Sequence, residues 1–274
     1  MTTVDPAIAE AAELLGGAEA LLVCAGAGMG VDSGLPDFRG SEGFWRAYPP
    51  YEALGLRFEE IADPVHFADD PALAWGFYGH RLALYRATVP HEGFAVLRRW
   101  AERRPTRVFT SNVDGQFQMA GFAEPAVAEV HGSIHHLQCL RECGRPVWPA
   151  DGVEVDVDPG SMRAREPLPS CPACGGLARP NILMFGDWSW DPARSGPGLQ
   201  DLHEWIRAHR RDLAVVEIGA GTAVPTVRRE AELASATTGR LVRINVREPQ
   251  VRHGRGVGIP GPAAATLRAL DALL

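Results

Sequence analysis

Five short apolar runs in this chain of 274 residues each end on or beside a glycine or a polar residue, and that pattern restricts the fold more than any other feature. They are ALLVCAG (20–26), RVFTSN (107–112), AVAEVHG (126–132), RDLAVVEIGAG (211–221) and LVRINV (241–246). Runs this short and this continuously apolar read as strands covered on both faces, the situation of a parallel sheet. The intervening segments have helical spacing. Asp5-Pro6 is an N-cap and first-turn pair that opens a helix AIAEAAELL, and Gly16-Gly17 end it. Residues 41–100 are rich in Trp, Phe, Tyr and His, and Trp75, Tyr78, Leu82 and Tyr85 at three-to-four spacing predict helices there. Strands alternating with helices define an α/β fold with a parallel sheet.

In such sheets a ligand sits at the carboxyl ends of the strands. The residues at those ends are Gly26 and Gly28, then Ser111, Asn112 and Asp114, then His131, then Gly219 and Gly221, and finally Asn245. Their convergence is more telling than the glycine turn G-A-G-M-G alone. That turn is not a full G-x-G-x-x-G, because its last position holds Val31. By itself it fits a tight strand-to-helix turn as well as a phosphate cradle. The following GLPDFRG is unusual, with a proline, two opposite charges and an aromatic where a helix would be expected.

Composition narrows the class. Hydrophobic residues make up 46% of the chain, enough for a sizeable core. The net charge is −7 and no long basic run occurs, which disfavours nucleic acid as the main partner. The basic residues are all arginine. No segment has the length of a membrane span, and MTTVDPAIAE lacks the basic-then-apolar order of a signal peptide. The expected setting is the cytoplasm, with no membrane partner.

The cysteines give an independent signal. Cys139 and Cys143, and then Cys171 and Cys174, are two close pairs joined by a long loop. Four thiolates so arranged suit a tetrahedral zinc ion and leave no open position for a reactive water. Two disulfides or four scattered thiols are the alternatives, and disulfides are disfavoured inside a cell. Cys24, within the first apolar run, reads as a small buried hydrophobe.

Taken together, AGAGMGVDSGLPDFRG, TSNVDGQFQMAG, EVHGS, the four cysteines and RPNILMFGD resemble, in order and spacing, the sirtuins, the NAD-dependent protein deacylases. The likeness covers roughly residues 20–250. It implies a Rossmann-like NAD-binding domain (1–40, 101–138 and 179–274), a helical insertion (41–100) and a zinc-binding module (139–178), with an acyl-lysine peptide in the cleft between them. It also implies that Gly26, Ala27, Gly28, Ser111, Asn112, Asp114, Gly219, Ala220, Gly221 and Asn245 contact NAD, and that Phe185 and Gly186 contact the peptide. The odd loop then has a purpose. Cleaving the nicotinamide–ribose bond needs a wall that screens the sugar from water, with Phe38 as its aromatic cover and Asp37 and Arg39 holding it. By the same resemblance His131 is the base that activates a ribose hydroxyl, while Asn112 and Asp114 position the sugar and the nicotinamide amide. His135 and His136 receive no role.

The chain departs from the pattern of that family at Gly30, Ser111 and Phe117 and at the last two residues of Gly219-Ala220-Gly221, and Trp188-Ser189-Trp190 replaces a leucine-proline pair after Phe185-Gly186-Asp187. ADP-ribosyl transfer or NAD hydrolysis on the same scaffold, or NAD binding without chemistry, are therefore weighed beside deacylation. Finally, Tyr78 and Arg81 form a Tyr-x-x-Arg pair like that of the sirtuin branch acting on succinyl and malonyl groups, where the arginine meets the acyl carboxylate. The plain alternative has Tyr78 packed and Arg81 reaching solvent or an acid such as Glu92.

Overall fold

A computed structural model describes residues 5–36, 40–252 and 256–274. Asp37, Phe38 and Arg39 lie outside the described residues, so the expected cover of the cleft has no structural account here.

The strands are β1 (Ala20–Ala25), β2 (Thr106–Thr110), β3 (Val127–Glu129), β4 (Gly132–Cys139), β5 (Trp148–Pro149), β6 (Val157–Asp158), β7 (Arg163–Ala164), β8 (Ala178–Ile182), β9 (Leu213–Ile218), β10 (Leu241–Ile244) and β11 (Val257–Ile259). Six of them form one sheet in the order β11-β10-β9-β1-β2-β3, and every pairing is parallel. This is the doubly wound order, with the chain reversing direction across the sheet between β1 and β9. β1 and β9 are buried at every position, as the central strands of a sheet covered on both faces must be. The five predicted strands are all present, and β11 adds a sixth at the edge.

The first helix runs Pro6–Gly16, with the Asp5 carboxylate accepting from the Ala7 amide at 2.8 Å, as the capping pair requires. Residues 40–103 are helical apart from short connections. Two bodies emerge there. The helix Pro71–Ala87 buries Trp75, Tyr78, Leu82 and Tyr85 in an aromatic-rich core shared with β4 and β8. The helix Glu92–Arg103, grouped with the insertion by the 41–100 boundary, instead buries Phe94, Leu97 and Trp100 in the core of the parallel sheet.

The second body has its own antiparallel sheet, β5-β4-β8, and a two-stranded hairpin of β6 and β7. Its β4 begins directly after the turn that ends β3, so residues 130–131 join the two sheets. Among the described residues no helix is long and apolar enough to cross a membrane.

Candidate active site

Two glycine turns touch back to back where the sheet reverses. The Gly26 amide donates to Ile218 O at 2.9 Å and the Gly28 amide to Gly219 O at 3.0 Å. A Cβ on Gly26 would stand 2.8 Å from Ala220 Cα, and one on Gly219 would stand 2.4 Å from the Gly28 carbonyl carbon. Gly219 also has φ +64, a conformation that glycine adopts without strain. Side chains are thus sterically excluded where the two turns meet, leaving bare backbone at the ends of β1 and β9. Beside them lies a cavity of about 180 Å³ lined by Gly28, Asp32, Gly219, Asn245, Arg247 and Ala263.

The end of β2 is tied to the first turn. Thr110 Oγ1 donates to Ala25 O at 2.9 Å, the Ser111 amide donates to the same carbonyl at 3.3 Å, and Asn112 Nδ2 donates to Gly26 O at 3.0 Å. Asp114 follows and is buried, with its carboxylate accepting from the Gln116 amide at 3.0 Å. Burial pushes its carboxyl up from the ordinary 3.8 to about 6, partly offset by the Gln116 amide and the charge of Arg81. His135 holds this turn from outside, its Nε2 lying 2.9 Å from Asp114 O. That is a structural task for a residue to which the sequence assigned none.

His131 sits in the link between the two sheets. The next residue is Gly132 with φ +78, where a Cβ would stand 2.0 Å from Asn181 O of β8. Backbone therefore crosses backbone beside the histidine, and the Leu183 amide donates to His131 O at 2.9 Å. The ring is half-buried, and burial lowers its pKa below the ordinary value of 6.5. A neutral imidazole is the form that accepts a proton. Two residues earlier Glu129 is buried, and its carboxylate accepts from Arg194 Nη2 at 2.7 Å. Burial pushes Glu129 up to about 7 in spite of that partner. No sequence motif pointed to this pair, because its members are far apart in the chain.

Asn245 is drawn into the loops around it. Its Nδ2 donates to Ala220 O at 2.8 Å, and its Oδ1 accepts from the Arg247 and Glu248 amides at 3.0 and 3.2 Å. Phe117, a departure from the family pattern, packs edge-on against Phe94 and Phe122 in the sheet core. Gly221 has nothing within 4 Å of a built Cβ.

The Phe185-Gly186 loop is clamped from beneath. Arg179 and Asp187, both fully buried, form a bidentate pair, and Asp187 also accepts from the Met184 and Ser189 amides at 3.2 Å each. Gly186 has φ +67 and allows the turn. Phe185 meets Phe58 edge-on at 5.9 Å, and its amide donates to Ala62 O at 3.0 Å. Trp188 stands fully exposed just beyond.

Tyr78 and Arg81 are both buried. The Arg81 guanidinium lies over the rings of Phe58, Phe77, Tyr78 and Tyr85 at 5.1 to 5.8 Å. Its Nε and Nη2 donate to the Tyr85 hydroxyl at 3.0 and 2.7 Å. Glu92, the acid suggested by sequence proximity, pairs with Arg268 at 2.7 Å instead. Arg81 is thus a cation set in an aromatic cup rather than a solvated surface charge.

The four cysteine sulfurs converge. All lie within 4.8 Å of one another, with Cys139 Sγ 3.6 Å from Cys174 Sγ and Cys143 Sγ 3.7 Å from Cys171 Sγ. A tetrahedron with metal–sulfur bonds of about 2.3 Å has edges of about 3.8 Å, so the donor set fits zinc. The Gly176 amide donates to Cys174 Sγ at 3.4 Å, as a thiolate favours. Cys24 is fully buried in β1, as expected of a small hydrophobe.

The sequence and the fold have counterparts in known proteins. The model of the Sir2 family matches residues 26–205. The NAD-dependent protein deacylase 1 of Pseudomonas aeruginosa is 32% identical over 257 residues, covering 93% of this chain and 94% of that protein. The mitochondrial NAD-dependent protein deacylase sirtuin-5 of Canis lupus familiaris is 32% identical over 203 residues, 68% of this chain and 62% of that one. Among solved structures, a complex of a Sir2 homolog with NAD superposes with a TM-score of 0.72 at 25% identity, covering 95% of this chain and 91% of the other. The chain belongs to the Sir2 family.

Proposed function

We propose that this protein is an NAD-dependent protein lysine deacylase of the cytoplasm whose preferred acyl groups are the acidic ones, succinyl and malonyl. The observation that supports the reading is that Asn112 is tied to the first glycine turn, while Asp114 and His131 follow the ends of the adjacent strands β2 and β3, next to the interlocked turns of β1 and β9.

NAD would supply an ADP-ribosyl group, whose bond to nicotinamide breaks as the acyl oxygen attacks the sugar; one water is consumed, the acyl carbon–nitrogen bond breaks to free the lysine amine, and the acyl group finishes on a ribose hydroxyl. The chain's own residues serve that exchange. The turns Gly26-Ala27-Gly28 and Gly219-Ala220-Gly221, with no side chain larger than a methyl, admit the dinucleotide closely, with Ser111 alongside. Asn245 acts through the loops it fastens. Asp114, buried and ready to share a proton, receives the nicotinamide amide, and Asn112 orients the ribose from the rim of the turn. His131 in its neutral form takes the proton of the ribose hydroxyl that attacks the acyl carbon. Asp37, Phe38 and Arg39 complete the cover in this scheme.

The acylated peptide lies against the Phe185-Gly186 loop, which the Arg179–Asp187 pair keeps in shape. Arg81 and the Tyr78 hydroxyl meet the acyl carboxylate within the aromatic cup. Zinc held by Cys139, Cys143, Cys171 and Cys174 leaves no coordination position open, so its part is structural. The division into a nucleotide-binding part (1–40, 101–138, 179–274), a helical insertion (41–100) and a zinc module (139–178) is kept with one change. The helix Glu92–Arg103 goes with the nucleotide-binding part, because its buried face belongs to that core.

The test is incubation with NAD and succinyl- or acetyl-lysine versions of one peptide, followed by mass spectrometry. Acyl-ADP-ribose together with deacylated peptide supports the reading. ADP-ribosylated protein, or free ADP-ribose with the peptide unchanged, replaces it with glycosyl transfer or NAD hydrolysis.

A further inference from the structure

The helix Pro71–Ala87 has two faces with different neighbours. At about 100° per residue, Gly76 and Gly79 lie roughly opposite Tyr78, Arg81 and Tyr85 around the helix axis. The front face forms the arginine cup. The back face is covered by residues 150–165, within the long segment that separates the two cysteine pairs.

That covering is tight and has several points of attachment. A Cβ at position 76 would stand 2.0 Å from Met162 O, and one at position 79 would stand 2.7 Å from both Cβ and Cγ1 of Val155. Met162 takes φ 52, unusual for a residue with a side chain, and its carbonyl accepts from the Tyr51 hydroxyl at 3.2 Å. At the start of the helix Asp70 accepts from the Leu73 amide at 3.3 Å, and its oxygens pair with Arg163 of the hairpin at 2.6 and 2.9 Å. At its end Arg86 donates to Ala150 O and Val153 O, each at 2.6 Å. Residues 150–165 therefore grip the helix at both ends and press on its glycines in the middle.

We infer that this segment is a positioning element for acyl selection, with Gly79 and Val155 setting how deeply the helix carrying Tyr78 and Arg81 sits in the cleft. The inference rests on the acidic-acyl reading of Arg81. Its physical basis is stiffness. A close-packed helix transmits a push on its back to the groups on its front, and the two-point geometry between a guanidinium and a carboxylate tolerates little displacement. An acetyl group makes no such contact and is indifferent to the shift.

The experiment compares the parent protein with Gly79→Ala, which drives a methyl into Val155, and with Gly79→Ala/Val155→Gly, which clears the space again. The readout is the ratio of kcat/KM on succinyl- and acetyl-lysine versions of one peptide. Both substrates meet the same enzyme sample, so a change in folded fraction cancels from the ratio. The expected result is a parent ratio above one, a fall of about tenfold in Gly79→Ala through a higher KM for the succinyl peptide, and recovery in the double variant. Val155→Ala loosens the seat without adding bulk and repeats the test if Gly79→Ala does not fold. A parent that prefers succinyl, with the same ratio in Gly79→Ala and Val155→Ala, overturns the inference and leaves the acyl reading standing. A parent without succinyl preference overturns the acyl reading itself.

Discussion

Replacing Asp187 by asparagine removes one charge from a pair in which both side chains are fully buried. The amide group must then face a donor, because Asp187 accepts from both terminal nitrogens of Arg179 and from the Met184 and Ser189 amides. The guanidinium is left without a counter-charge in a site where its buried Nε already finds no hydrogen-bond partner among the described residues. Breaking a buried pair in this way costs about 3–5 kcal/mol. With an unfolding entropy of about 2.1 cal/mol/K per residue, a chain of this length loses roughly 5–9 °C in melting temperature. The same change releases the Phe185-Gly186 loop, so KM for the acylated peptide rises while KM for NAD holds. Circular dichroism melts at neutral pH and steady-state kinetics give both numbers. A melting temperature within about 2 °C of the parent, with an unchanged peptide KM, refutes the reasoning. Arg179→Met combined with Asp187→Leu removes both charges and recovers most of the loss.

His131→Ala abolishes product formation while isothermal titration shows NAD affinity nearly unchanged, because the base acts after the dinucleotide is in place. Arg81→Met lowers the succinyl-to-acetyl ratio of kcat/KM by about tenfold to a hundredfold, the worth of a charge-assisted contact of about 1.5–3 kcal/mol; an unaltered ratio removes Arg81 from acyl recognition. Cys171→Ser releases zinc, measured by elemental analysis, and lowers the melting temperature; full stability without metal contradicts a structural role. The raised pKa of Asp114 means that the fold favours its protonated form, so stability attached to this group is lost as pH rises from about 3.8 to about 6. Asp114→Asn therefore gains melting temperature over the parent across that interval, and a gap that stays flat with pH dismisses the assignment.

The central strands were legible because each is a run of buried aliphatic residues interrupted by a glycine or polar residue at its end. β11 was not, since it has only three residues with Gly258 at its centre, and what defines it is a ladder to β10. The gathering of strand-end positions on one edge of the sheet was legible for the same reason, as topology alone brings such positions together. The surroundings of Arg81 were harder to read. Tyr85 is one helical turn away, but Phe58 reaches the cup from a separate helix, and no local spacing announces it. Likewise the Glu129–Arg194 and Arg179–Asp187 pairs depend on how loops fold back. The core into which Glu92–Arg103 packs was not legible, because amphipathic spacing reports that a face is buried and not against which partner.

The seam between Gly26 and Gly219 bears on how such an enzyme can be tuned. No side chain takes part there, so inherited variation has almost nothing to adjust, and most substitutions at either position should be lethal to function. Open space begins two residues after Gly219 and four after Gly26. A built Cβ at Gly221 meets no neighbour, and one at Gly30 meets only the movable side chain of Leu35. Affinity for the dinucleotide is therefore free to drift at the margins of the cradle while its centre stays frozen. A saturation library scored for NAD binding would show a sharp step in tolerance between adjacent positions, drawn by backbone contact alone.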